Sequence, residues 1–185
     1  ICMLHDKDDY DSYFEDTMKA GHYENRKESV DLMIRSSREI IQDLIDYGVD
    51  FQKQDTDESE DKAAGKDGNA EIQDIYAFTR EGAHSRPRIL FHADITGKEI
   101  TQTLLTAAKI KENIEICEYM TMVDLISKDN TVCGIIAMDR NDQAFPVYSQ
   151  YVVLACGGIG GLFKNSTNFS HIAGDGVGIA MKHHV

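Results

Sequence analysis

Apolar residues recur at helical spacing in the first quarter of the chain. Val30, Met33, Ile34, Ile41, Leu44 and Ile45 follow an i, i+3, i+4 pattern, which predicts a helix over Lys27–Tyr47 with Gly48 as its stop. Before it, Ser12-x-x-Glu15 reads as a capping box and Gly21 as a stop, so Ser12–Ala20 is predicted as a shorter helix. The apolar run Ile1–Leu4 reads as a strand end. Thr96-x-x-Glu99 is a second capping box, opening a helix through Leu104, Leu105 and Ala108 to about Lys111. After it the period shortens from helical to strand-like. Ile114–Cys117 reads as a short strand, and Met122–Ser127, Val132–Asp139 and Gln143–Ser149 read as a meander turned by Lys-Asp-Asn and Arg-Asn-Asp. Tyr151–Cys156 is continuously apolar, the pattern of a fully buried strand, and it runs into Gly157-Gly158 and Gly160-Gly161. Gly174-Asp175-Gly176-Val177-Gly178 opens a last helix. This order predicts an α/β fold with an antiparallel β-meander insertion and flanking helices.

Composition narrows the picture. The 185 residues suffice for one domain with a hydrophobic core, and 42% are apolar against 28% charged. A net charge of −13 without a basic patch excludes a nucleic-acid partner. No apolar run is long enough to span a bilayer, and the acidic opening is no signal peptide, so no membrane partner and a cytoplasmic location are expected. The polar stretch 52–74 is expected to be an acidic surface loop, since it has little apolar area to bury and its spacing does not fit a calcium loop. Cys2, Cys117, Cys133 and Cys156 form no C-x-x-C pair and read as small buried or half-buried thiols in a reducing compartment; no metal site is expected.

Three segments carry candidate chemistry. Ala155-Cys156-Gly157-Gly158 ends an apolar run in bare backbone, which suits either a tight connection or a flat, phosphorylated ligand lying close to the main chain. Asp175 between glycines at a helix start is either an N-cap or an acceptor for a ligand hydroxyl. Thr79-Arg80-Glu81-Gly82-Ala83-His84-Ser85 packs hydrogen-bonding side chains around two small residues, as a site or as a surface salt-bridge cluster.

Together these segments resemble the superfamily of FAD flavoproteins that includes succinate dehydrogenase, fumarate reductase and L-aspartate oxidase. That family carries Ala-Thr-Gly-Gly, then Thr-Asn, then Gly-Asp-Gly-x-x-Met-Ala. Here these read Ala155-Cys156-Gly157-Gly158, Thr167-Asn168 and Gly174-Asp175-Gly176-Val177-Gly178-Ile179-Ala180. Asp94-Ile95-Thr96-Gly97, Val123-Asp124-Leu125 and Asp11–Gly21 fit the same pattern. Within the superfamily, Arg80-Glu81-Gly82-Ala83-His84-Ser85 resembles the Arg-Glu-Gly-Gly-His-Ser of the aspartate oxidase branch, whereas dehydrogenases and fumarate reductases show Arg-x-Phe-Gly-Gly. A carboxylate here suits a substrate with an α-ammonium group; succinate offers it nothing to pair with.

The resemblance implies a partial, Rossmann-like FAD-binding domain over residues 1–185, with FAD as cofactor. It implies that Asp175 lies against the FAD, that Ala155, Gly157 and Gly158 offer it backbone, and that Met122 and Val123 meet its adenine end. Cys156 departs from the family's Thr, so a side-chain bond from there is not carried over. Glu81 would orient the substrate amino group, His84 would shape the substrate entrance, and Arg86 and Arg88 would attract an acidic substrate. The implied activity is oxidation of L-aspartate to iminoaspartate in NAD biosynthesis. Oxygen or fumarate would be the electron acceptor, and the product would be handed to quinolinate synthase. A fumarate reductase or succinate dehydrogenase flavoprotein subunit, or a non-catalytic domain of the same fold, are the alternatives. The phosphate-binding Gly-x-Gly-x-x-Gly unit and the capping domain with the catalytic arginine are not found in these residues. The chain therefore reads as an internal piece, inactive and weakly FAD-binding alone.

Overall fold

The structure, a computed structural model, describes residues 1–5, 9–54 and 71–184. Most of the predicted acidic loop, 55–70, lies outside the described residues. The chain divides into two units, Ile1–Glu115 and Ile116–Val185.

The first unit is helical. Helix α1 spans Tyr10–Ala20 and α2 spans Lys27–Asp46. The buried face of α2 is Val30, Ile34, Ser37, Ile41 and Leu44, a stripe in steps of four and three. Met33, expected on this stripe, is 45% exposed, one position round the helix from it. One apolar cluster joins Val30 and Ile34 to Tyr13 and Met18 of α1. A second joins Ile41 and Leu44 to Met3, Val49, Phe51 and Leu90. Single bridges (Cys2 to Ile89, Lys53 to Tyr76, Thr79 to Ile89) tie the extended segments to this core. Short helix α3, Ile72–Ile75, starts on a reciprocal capping box between Glu71 and Asp74, and α4 follows at Thr96–Lys109.

Neither capping box read from the sequence forms. Asp9 is the N-cap of α1, and the Ser12 hydroxyl instead donates back to Asp9. Ile95 precedes α4, where Thr96 Oγ1 accepts the His92 N–H and Glu99 accepts the Asp50 N–H. In both boxes the side chains bond to other groups instead, local ones for Ser12 and Thr96 and a distant one for Glu99.

The second unit is built on the meander: β1 Thr121–Lys128, β2 Thr131–Met138 and β3 Ala144–Tyr148, antiparallel in that order. Asp129 and Asn130 both take positive φ, 50° and 60°, the two-residue hairpin geometry that follows strand twist. Asp139 accepts the N–H groups of Asn141 and Gln143 and closes the second turn. Gly134 sits where a Cβ would lie 2.1 Å from the Val147 carbonyl oxygen, so β3 can approach β2 only past a glycine. Pro146 is tolerated because β3 is an edge strand. A 3₁₀ turn at Gly160–Leu162 and helix α5, Asp175–Lys182, complete the unit.

Two predicted strands are absent. Ile114–Cys117 is irregular, with Ile114 and Ile116 exposed. Tyr151–Cys156 forms neither strand nor core: Tyr151 is 85% and Val153 is 87% exposed. A strand needs a neighbour for its backbone hydrogen bonds, and among the described residues no segment pairs with this one.

Candidate functional site

In the second unit the two glycine clusters converge. The Gly161 N–H donates to the Ile172 carbonyl at 2.8 Å, drawing the turn after Gly158 onto the segment that leads into α5. Gly176 lies so close to Cys156 that a Cβ there would meet the Cys156 side chain at 3.0 Å. The Cys156 side chain thus packs against the first turn of α5. Gly174, the N-cap, takes φ +78°, and a Cβ on it would collide with Ile159. Asp175 is therefore the first residue of the helix, not its cap. Its exposed carboxylate has no hydrogen-bond partner among the described residues.

Packing accounts for the glycines at 161, 174 and 176, but not for Gly158. A Cβ at Gly158 would meet nothing within 4 Å, and Gly157 beside it takes φ +76°. The backbone N–H groups of Ala155, Gly157 and Gly158 donate to no carbonyl among the described residues. The first-turn N–H groups of α5 are open in the same way, since the first helical bond runs from Gly178 to Gly174. Bare main chain, unpaired donors and a helix N-terminus fit a flat ligand that carries phosphate groups. A carboxylate at the same helix start suits a ligand hydroxyl, not a phosphate. Met122 and Val123 lie on β1 of the same unit, half-buried and 45% exposed respectively.

Across residues 2–185 the chain matches the protein family described as "FAD binding domain". The chain belongs to that family. Its cofactor is FAD, and the open glycine turn beside a helix N-terminus is the part of the second unit that fits it. Among curated relatives, the chain is 39% identical over 185 residues to an L-aspartate oxidase of Clostridium perfringens. It is 39% identical over 179 residues to the L-aspartate oxidase of Clostridium acetobutylicum. It covers 100% and 97% of itself in these matches but only 38% and 37% of those proteins. Among solved structures, a quinol fumarate reductase of E. coli superposes with a TM-score of 0.80 at 22% identity, over 98% of this chain and 28% of that one, a likeness of fold. The apo Sdh1 complex of Mycobacterium smegmatis superposes with a TM-score of 0.75 at 26% identity, over 94% of this chain and 29% of that one. The predicted α/β class and FAD-binding fold are those of the family.

In the first unit, Glu81 stands on a tight turn. The His84 N–H returns to the Glu81 carbonyl at 3.3 Å, with Ala83 at φ +70°. The Glu81 side chain is exposed, and its carboxylate has no partner among the described residues. The residue that follows the turn is clamped: the Ser85 N–H and hydroxyl both donate to Asp16 Oδ2, at 2.8 and 2.7 Å.

Arg88, expected to attract an acidic substrate, is fully buried. Its Nε and Nη2 reach the two oxygens of Asp9 at 2.7 Å each, Nη2 also reaches Ser12 Oγ at 2.6 Å, and Nη1 reaches Asp16 Oδ2 at 2.7 Å. Nη1 lies 3.5 Å from His84 Nδ1 as well, so every donor of the guanidinium has an acceptor. Because Arg88 only donates, His84 Nδ1 must be the accepting nitrogen, which leaves the proton on Nε2, 3.4 Å from Cys2 Sγ. His84 is thereby half-buried in a packed cluster with Cys2 and Tyr13. A cavity of about 440 Å³ opens beside this cluster, but its walls are mostly apolar and suit neither a carboxylate nor an ammonium group. Arg86 keeps an exposed side chain, 3.8 Å from Asp9.

Burial opposes ionisation of Asp16, but the Ser85 N–H, the Ser85 hydroxyl and Arg88 outweigh it and hold the carboxyl down at about 2. For Asp9 the same opposition is resolved by Arg88 and Ser12, and its carboxyl also titrates below the ordinary range. The sequence reading missed this cluster because Asp9 and Asp16 stand 79 and 72 positions from Arg88. It also missed Asp124, whose carboxylate takes hydrogen bonds from Lys182 and His183 and is lowered by them to about 2. Among the described residues no group of three His, Cys, Asp or Glu side chains can hold a metal, and no disulfide forms; Cys117 and Cys156, expected to be buried or half-buried, are exposed.

Proposed function

We propose that the protein carrying this chain oxidises L-aspartate to iminoaspartate, with FAD as the cofactor, as a step of NAD biosynthesis. The observation that carries the reading is the unpaired, exposed carboxylate of Glu81 on a clamped turn. Relatives 39% identical over this chain are named for that reaction. When bound, FAD supplies the two-electron acceptor. Glu81 holds the substrate ammonium by a charge-assisted hydrogen bond and orients the Cα–H of the substrate toward the flavin. Asp175 accepts from a cofactor hydroxyl, Ala155, Gly157 and Gly158 lay backbone N–H groups against the cofactor, and Met122 and Val123 flank its adenine end. Oxygen or fumarate takes the electrons, quinolinate synthase takes the product, and the reaction runs in the cytoplasm. The 185-residue chain, without a Gly-x-Gly-x-x-Gly loop, has weak FAD affinity and no turnover by itself.

Glu81→Gln tests the assignment in the complete flavoprotein. The amide keeps the shape and loses the charge, so kcat/KM for L-aspartate should fall about 100-fold while residual succinate or fumarate turnover is unchanged. Equal losses on both substrates would sink the Glu81 role. The likeness to Sdh1 supports a second reading, a succinate- or fumarate-specific flavoprotein, for which succinate is the better substrate before any mutation.

A further inference from the structure

We propose that Asp124 is a positioning residue for the FAD site, clasping α5 at its C-terminal end so that Gly174–Gly176 at the other end faces the cofactor. The inference rests on the reading of Asp175 as a FAD contact. Asp124 follows a bulge in β1: Met122 pairs with Ala137 and Asp124 with Ile136, which leaves Val123 without an opposite residue. A bulge re-aims the side chains around it. Here the Asp124 carboxylate reaches the last residue of α5 and its C-cap, accepting from Lys182 Nζ on one oxygen and from His183 Nε2 at 2.8 Å on the other. Ser127 Oγ, further along β1, lies 3.0 Å from His183 Nδ1 and closes the grip.

Helix α5 has eight residues, and only Gly176 is fully buried. Two turns of helix are not stable in water unaided, so contacts at the ends set where this one points. At the N-terminus the contact is Gly176 on Cys156; at the C-terminus it is Asp124. The helix is a short rigid lever about 12 Å long, so freeing one end displaces the other. Because Met122 and Val123 immediately precede Asp124, one carboxylate also ties the strand proposed for the adenine end to the helix proposed for the hydroxyl contact.

The test is a double-mutant cycle on FAD rebinding to the deflavinated protein, read by quenching of flavin fluorescence, with no turnover measured. Asp175→Ala should weaken FAD about tenfold, Asp124→Ala about fivefold to tenfold, and the double variant should bind within about twofold of the weaker single one, as for groups acting through one contact. His183→Gln, which keeps a donor, should bind more tightly than Asp124→Ala. If Asp175→Ala leaves FAD affinity unchanged, the underlying contact reading fails. If Asp175→Ala weakens binding while Asp124→Ala does not, or the two losses multiply in full, the clasp is overturned. Should Asp124→Ala not fold, Asp124→Asn is read by the same criteria.

Discussion

Ala83 occupies φ +70°, the third position of a turn whose geometry favours glycine. A Cβ there costs about 1 kcal/mol, so Ala83→Gly should raise unfolding free energy by about 0.5–1 kcal/mol in urea titrations, with Glu81 still on its turn. At Asp16 the folded carboxyl titrates near about 2 against an ordinary 3.8. The sign follows from the depressed value: the stability is present above the ordinary value and is lost as pH falls toward about 2. Unfolding measured at about pH 5 and about pH 3 should show this loss, and Asp16→Asn should flatten it. Motif resemblance singled out Glu81 and Asp175, and the structure leaves both carboxylates exposed. The sequence reading misplaced Arg88, because burial of a cation is decided by carboxylates that folding brings from far along the chain.

The same contrast holds for elements. The stripe of α2 and the three meander strands were readable because helical period, strand alternation and turn chemistry are local. The apolar run Tyr151–Cys156 was misread because apolarity states a need for cover, and whether a neighbour exists is not written within the run. Arg88 is also what ties α1 to the extended segment that carries the Glu81 turn. Removing it takes from the buried Asp9 carboxylate the guanidinium that binds both its oxygens. Arg88→Met should therefore lower stability by about 3–5 kcal/mol, and Arg88→Lys should recover only part, because an ammonium cannot span both oxygens of Asp9 and reach Asp16. Urea midpoints of the two variants check the order.

At the scale of the molecule, the second unit buries little. Among its described residues only Leu125, Gly134, Ala137 and Gly176 are buried; Ile126, Val132, Ile135 and Ile136 are half-buried, and Phe163 is 61%, Phe169 74% and Tyr148 74% exposed. Exposed apolar patches of this kind recruit partners or promote association. The purified 185-residue chain should bind a hydrophobic dye strongly and form oligomers as concentration rises, both readable by fluorescence and light scattering. Its charge will not prevent this at physiological salt, where repulsion is screened within about 8 Å.

The saturated guanidinium of Arg88 has an electrical consequence. Its charge is spent on Asp9 and Asp16, and with Arg86 3.8 Å from Asp9 the two carboxylates face two guanidiniums, so the buried cation projects no net positive field that would lure a diacid. On this unit the cations whose charge is still open to solvent near the Glu81 turn are Arg80 and Arg86.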